Sequence, residues 1–170
     1  DLFGVSAGLA LDGKIPFATT FAAFASMRAH EQVRTDIAYP NLPVKIVGTM
    51  GGLSGGTAGP THSGLEDLGV MRMMPGMTVI APSDPLHLAQ FVEQAYETPG
   101  PVYIRLGRGE DPIVYGEGHE VTIGTAVRAA DGDDVTIIST GVMLRHAVAA
   151  AARLAADGIG ARVLDMHTIK

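Results

Sequence analysis

A histidine closes the most unusual stretch of this sequence, Gly51-Gly52-Leu53-Ser54-Gly55-Gly56-Thr57-Ala58-Gly59-Pro60-Thr61-His62. Five glycines within nine residues make poor helix or strand, because each adds backbone entropy that folding must remove. Their use lies in tight turns and in close backbone approach to something. The stretch follows a strand-like run, Val44 to Gly48, and precedes a helix-like one, Gly64 to Met71. Open α/β sheets bind ligands in loops at the C-terminal ends of their strands, so His62 is expected at the floor of a site. The competing reading is a surface loop with one solvated histidine. A second group is Phe21, Phe24, Met27 and Arg28, which share one side of a helix expected from Phe21 to about Ala38, with Thr20 as its cap. On spacing alone, that stripe is equally the core face of a helix.

The elements that must position these groups alternate along the chain. Leu2, Val5 and Leu9 mark an amphipathic helix stopped at Asp12-Gly13. Ile15 to Thr19 is a short buried strand, and Pro40 and Pro43 close the helix that follows. Beyond the glycine loop, Leu65, Leu68 and Met71 or Met74 mark a helix on which Glu66 and Asp67 face elsewhere. Then come strand Thr78 to Ala81, a helix opened by Ser83-Asp84-Pro85, and strand Val102 to Leu106. This alternation predicts an α/β fold: an open, mostly parallel sheet with helices on both faces, joined by right-handed crossovers. Residues 1–110 form this unit. The polar, turn-rich run that begins near Gly107 reads as a linker over 111–120. Residues 121–170 hold strand Val135 to Ser139, an alanine-rich helix from Met143 to Ala156 and a last strand, an incomplete second α/β unit.

Composition narrows the function. The formal charge is −6 over 170 residues with no basic run, which argues against a nucleic-acid surface, since phosphate neutralisation needs clustered Lys and Arg. No apolar run reaches bilayer-spanning length. With no cysteine, disulfides, thiolate nucleophiles and Cys-based metal sites are excluded. A small metabolite in a cytoplasmic enzyme is the expected setting. The chain opens in mid-helix without a Met and stops on a strand, so a fragment is expected.

Three stretches in this order resemble the thiamine diphosphate family, and specifically the pyrimidine-binding and C-terminal domains of transketolases: Thr20 to Arg34, the loop ending Gly59-Pro60-Thr61-His62, and Met77 to Asp84 followed by Pro101 to Arg108. Glu31 to Val47 looks most like the split type, in which the C-terminal half is its own polypeptide. The resemblance implies that Phe21 and Phe24 wall the aminopyrimidine of thiamine diphosphate and that Met27 completes the pocket. It implies that His62 moves protons at the substrate and that Arg108 binds the substrate phosphate, with Arg105 as a rival. Ser54 and Thr57 could hydrogen-bond substrate, though turn formation explains them at least as well. No metal ligand is expected here, because in the family Mg²⁺ and the diphosphate are held by an N-terminal half or subunit. The implied partners are that subunit and a sugar phosphate, in a homodimer or heterotetramer.

The sequence departs from the family at Met50, where relatives carry a histidine, and at Thr57-Ala58, where they carry an acidic pair. A sugar other than the usual pentose phosphate is therefore expected. The family's activating glutamate is expected about two positions before Asp1, which would leave this polypeptide inert alone. A 1-deoxyxylulose-5-phosphate synthase, a 2-oxo acid dehydrogenase β subunit and a non-catalytic scaffold of the same fold are the competing identities.

Overall fold

The computed structural model describes residues 1–109 and 111–170. Glu110, the last residue of the expected first unit, lies outside the described residues. Four strands, β1 (Phe17–Phe21), β2 (Lys45–Thr49), β3 (Thr78–Ile80) and β4 (Val102–Arg105), form a parallel sheet in the order β1-β2-β4-β3. Register sets its two faces. Ala18, Ile46, Tyr103 and Val79 lie side by side across the strands. They pack with α1 (Leu2–Leu11), the helical stretch α2 (residues 22–38) and α3 (Asp67–Met73) in one buried cluster. Ile80, Val102 and Ile104 point the other way, onto Phe91 and Ala95 of α4 (Pro85–Glu97). Strands covered by helices on both faces carry apolar residues at successive positions, as parallel sheets do.

Several local expectations fail for identifiable reasons. The first strand runs two residues later than read, so Phe21 ends β1 instead of opening the helix. Ile15 and Pro16 belong to the approach, because Pro16 lends only its carbonyl, accepting from Lys45 N–H at 2.9 Å. On α1 the core face is Phe3, Ser6, Ala7 and Ala10, while Leu2, Val5 and Leu9 are exposed. The small residues face the core because α1 lies close against β1 and α2, where larger side chains would not fit. α2 is not a uniform helix: wide π turns at Phe24–Arg28 and Val33–Ala38 flank a single α turn, His30–Gln32. α3 starts at Asp67 instead of Gly64; Leu68, Met71 and Met74 pack inward and Glu66 is exposed as expected, but Leu65 is exposed and Asp67 is fully buried.

The second unit adds β5 (Val127–Ala130), β6 (Val135–Ser139), α5 (Leu144–Ala156) and β7 (Ala161–Asp165), in sheet order β5-β7-β6. β6 and β7 pair in parallel as expected, and the unforeseen β5 runs antiparallel to β7. Residues 111–120 are not a free spacer. Asp84 caps α4 through Leu86 N–H at 2.7 Å, and its second oxygen accepts the Val114 and Tyr115 amides. Gln90 and Gln94 on α4 then hold the backbone of His119, Val121 and Ile123. The final residues run beside β3, where Val79 bonds Ile169 and Lys170 and Ala81 bonds His167, so the open edge of the first sheet is covered.

Candidate functional site

At the C-terminal end of the first sheet, β1 delivers Phe21 and the first turn of α2 delivers Phe24. Their ring centroids lie 5.4 Å apart. His62 approaches both, 5.6 Å from Phe21 and 5.4 Å from Phe24, with tilted planes in each case. All three rings are half-buried. The structure thus brings together the residues singled out from distant parts of the sequence, at separations typical of aromatic contact. Thr61 Oγ1 lies 2.8 Å from His62 Nδ1, so the hydroxyl restrains the ring and leaves Nε2 to other partners. Beside the cluster opens a cavity of about 550 Å³ lined by Phe24, Met27, Arg28, Pro60, Thr61 and Glu66, among others. Met27 is 53% exposed on its rim. The Arg28 guanidinium lies 4.3 Å from the centroid of the Phe24 ring, a cation–π contact that occupies part of that aromatic surface.

Arg108 stands apart from this cavity. It is exposed and lines a second one, about 370 Å³, with Thr49, Asp84, Leu88, Gly107 and Asp111. It still meets the glycine loop, because a Cβ on Gly56 would lie 3.6 Å from Arg108 Nη1. Ser54 donates its hydroxyl to Gly51 O at 2.8 Å, which engages it in the local turn. Among the described residues, no group of three or more His, Asp or Glu side chains is placed to hold a metal ion.

The glycines prove to serve the protein's own side chains. A Cβ on Gly51 would sit 2.2 Å from Arg105 Nε, one on Gly48 would sit 2.3 Å from the Tyr103 hydroxyl, and one on Gly64 would sit 2.7 Å from Ala22 Cβ. A Cβ at these positions would force a neighbour to shift, so the close approach expected of this loop is met at Gly51 and Gly52 by Arg105, and at the flanking Gly48 and Gly64 by Tyr103 and Ala22. Met50 enters the loop with φ of 55°, a left-handed conformation uncommon outside glycine, and its amide is held by Gly107 O at 3.1 Å. Neither the left-handed backbone of Met50 nor the Asp67–Arg105 pair was legible beforehand. The only available signal for the pair was an acid and a base at the ends of neighbouring elements.

Comparison with known proteins places these features. Residues 1–113 match the model of the transketolase pyrimidine-binding domain, and residues 124–170 match that of the transketolase C-terminal domain. A 6-deoxy-6-sulfo-D-fructose transketolase subunit, SqwH, of Clostridium sp. is 46% identical over the whole chain, which covers 53% of that protein. A putative transketolase C-terminal section from Methanocaldococcus jannaschii is 43% identical, with 54% of it covered. Among solved structures, one titled a split gene transketolase, inactive beta4 tetramer, superimposes with a TM-score of 0.88 at 45% identity, over 97% of this chain and 53% of that one. The chain therefore spans about half the length of these relatives. With both its segments matched in order, the chain belongs to the transketolase family.

Proposed function

We propose that this chain forms the pyrimidine-side wall of a split-type transketolase, which transfers a two-carbon ketol unit between sugar phosphates with thiamine diphosphate. The observation that carries this reading is the convergence of Phe21, Phe24 and His62 beside an open cavity at the C-terminal ends of parallel strands. The residues fit the pyrimidine half of that cofactor. A flat heteroaromatic ring gains about 0.5–1.5 kcal/mol from offset stacking on an aromatic face beyond area burial, and Phe24, partly covered by Arg28, presents one on the cavity wall, with Phe21 and His62 packed against it. When bound, the cofactor would supply the carbon at which the ketol unit is detached and passed on.

In this reading Phe21 and Phe24 hold the aminopyrimidine and Met27 closes the rim. His62 gives and takes a proton at a substrate hydroxyl, with Thr61 fixing its ring. Arg108 binds the substrate's anionic end, its planar fork suited to phosphate oxygens, and Ser54 shapes the loop between them. Mg²⁺ and the diphosphate fall to an N-terminal partner subunit, so this chain alone is inactive. The exposed Leu2, Val5 and Leu9 of α1 suit burial against another chain in a homodimer or heterotetramer. We assign residues 1–110 to the cofactor domain, 111–120 to the connection and 121–170 to part of the C-terminal domain, in a cytoplasmic enzyme. Met50 and Ala58 leave no side-chain polar group to pair with the sugar hydroxyls that a histidine and an acid would read, so the sugar differs from the usual pentose phosphate.

Donor assays on the full polypeptide co-expressed with its partner test the assignment. Turnover of a ketose phosphate with an aldose acceptor is expected. Turnover only with pyruvate plus glyceraldehyde phosphate would transfer the protein to the deoxyxylulose phosphate synthases, a class represented among its relatives by a Geobacter sulfurreducens enzyme 39% identical over 97% of this chain. No turnover of either, with cofactor still bound, would leave a scaffold.

A further inference from the structure

The loop that carries His62 is closed by a neck, and the neck is held from below. Gly52 N–H donates to Gly64 O at 2.6 Å, which joins the two ends of residues 52–64 and makes a compact loop of the kind that holds a functional residue on a rigid base. The same Gly64 carbonyl accepts Arg105 Nη2 at 3.1 Å. Arg105 comes from the end of β4, and its side chain fills the space that glycines leave open at 51 and 52. Its Nε lies 3.1 Å from Asp67 Oδ2, although that N–H is not aimed along a hydrogen bond. Asp67 is fully buried and receives the Tyr103 hydroxyl at 2.8 Å on the same oxygen. One guanidinium thus joins a strand, the loop neck and the first residue of α3.

We infer that Arg105, braced by Asp67 and Tyr103, is a positioning residue that fixes His62 against Phe21 and Phe24. His62 lies only two residues from the clamped carbonyl. A shift at Gly64 is therefore carried to the imidazole with little chain to absorb it. Removing the fork frees the neck and leaves a buried carboxylate without its cation. Lysine would restore charge toward Asp67, but as a single point it would not span Asp67 and Gly64 O together. The inference rests on the functional reading above only for its effect on turnover. The placement of His62 is a structural statement in its own right.

The test uses the full polypeptide with histidine labelled at Cε1. In the unaltered protein the His62 proton and carbon signals are expected to be displaced by the ring currents of Phe21 and Phe24, and Phe24→Leu identifies that displacement. In Arg105→Gln the signal is expected to move to the position of a freely solvated histidine. In Arg105→Lys the fold survives, and at least half the displacement is lost. With the partner subunit and cofactor present, kcat is expected to fall roughly 10- to 100-fold, as misplacement of a catalytic group does, with KM for the ketose phosphate changed less than about threefold. A His62 signal unmoved in folded Arg105→Lys overturns the clamp. If the signal moves but His62→Ala leaves turnover intact, the clamp stands and the catalytic reading of His62 falls.

Discussion

Two clusters of histidine and aromatic rings differ in what covers them, one within the first domain and one between it and the linker. The Phe21–Phe24–His62 group is half-buried and meets an open cavity through Phe24. The second is buried at His87 and Tyr115 and half-buried at His119. His87 stacks on Tyr115 at 4.3 Å, Tyr115 stacks on His119 at 4.4 Å, and His87 Nε2 meets His119 Nδ1 at 3.0 Å. Around it, Asp165 accepts the hydroxyls of Ser83 at 2.7 Å and Tyr115 at 3.1 Å, joining the turn before α4, the linker and β7. Burial, then the neighbouring His119 charge, lowers the His87 pKa against the opposing pull of Asp84 and Asp165, while burial raises that of the Tyr115 hydroxyl. Similar side chains thus make a candidate reaction surface where Phe24 faces open space, and a latch between units where His87 and Tyr115 are buried.

The comparison breaks most directly at His62. His62→Ala should lower kcat of the assembled enzyme by roughly 10²–10⁴-fold, the range for lost general acid–base catalysis, with unchanged denaturant stability. The latch should respond in the opposite sense. Asp165→Asn, which weakens acceptance of two buried hydroxyls, should cost about 1–3 kcal/mol of stability in urea titration while leaving cofactor affinity within twofold. Phe24→Ala should weaken cofactor binding up to about tenfold, the equivalent of a stacking contribution near 1.4 kcal/mol, measurable by calorimetry.

A pH titration sharpens the same contrast. His87 and His167 both have pKa values lowered chiefly by burial. As pH falls below about 6.5 the unfolded chain binds protons first. The stability these two residues contribute is therefore complete above that value and is lost on acidification toward their folded pKa values. His87→Phe should flatten this acid-side loss in chemical denaturation. Lys45 acts on the alkaline side. Buried under α4 with its ammonium on the carbonyls of Thr98 and Gly100, it has its pKa lowered to about 8 by desolvation. Its contribution should make stability rise between pH 8 and its ordinary value near 10.4, and Lys45→Met should remove that rise. The smallest effect is expected at Met50, where Met50→Gly should relieve a left-handed residue by up to about 1 kcal/mol, offset by added chain entropy.

The alternation of strands and helices, the Asp84 cap with Pro85 behind it, and the pairing of β6 with β7 were legible because each depends on neighbours within a few residues. The grouping of Phe21, Phe24 and His62 was legible only through the family resemblance. Only the tertiary structure decided that Asp67 and Lys45 are interior charges, that Leu2, Val5 and Leu9 face outward, and that β5 joins β7. Only it showed that the glycines at 48 and 51 make room for Tyr103 and Arg105. The physical reason is range. Caps, turns and periodicity are local free energies written in adjacent residues, whereas a buried charge or a forbidden Cβ is set by an atom dozens of residues away. Sequence alone determined most of the elements, though not β5 or the π turns of α2; packing determined those and which side chain of each meets which partner.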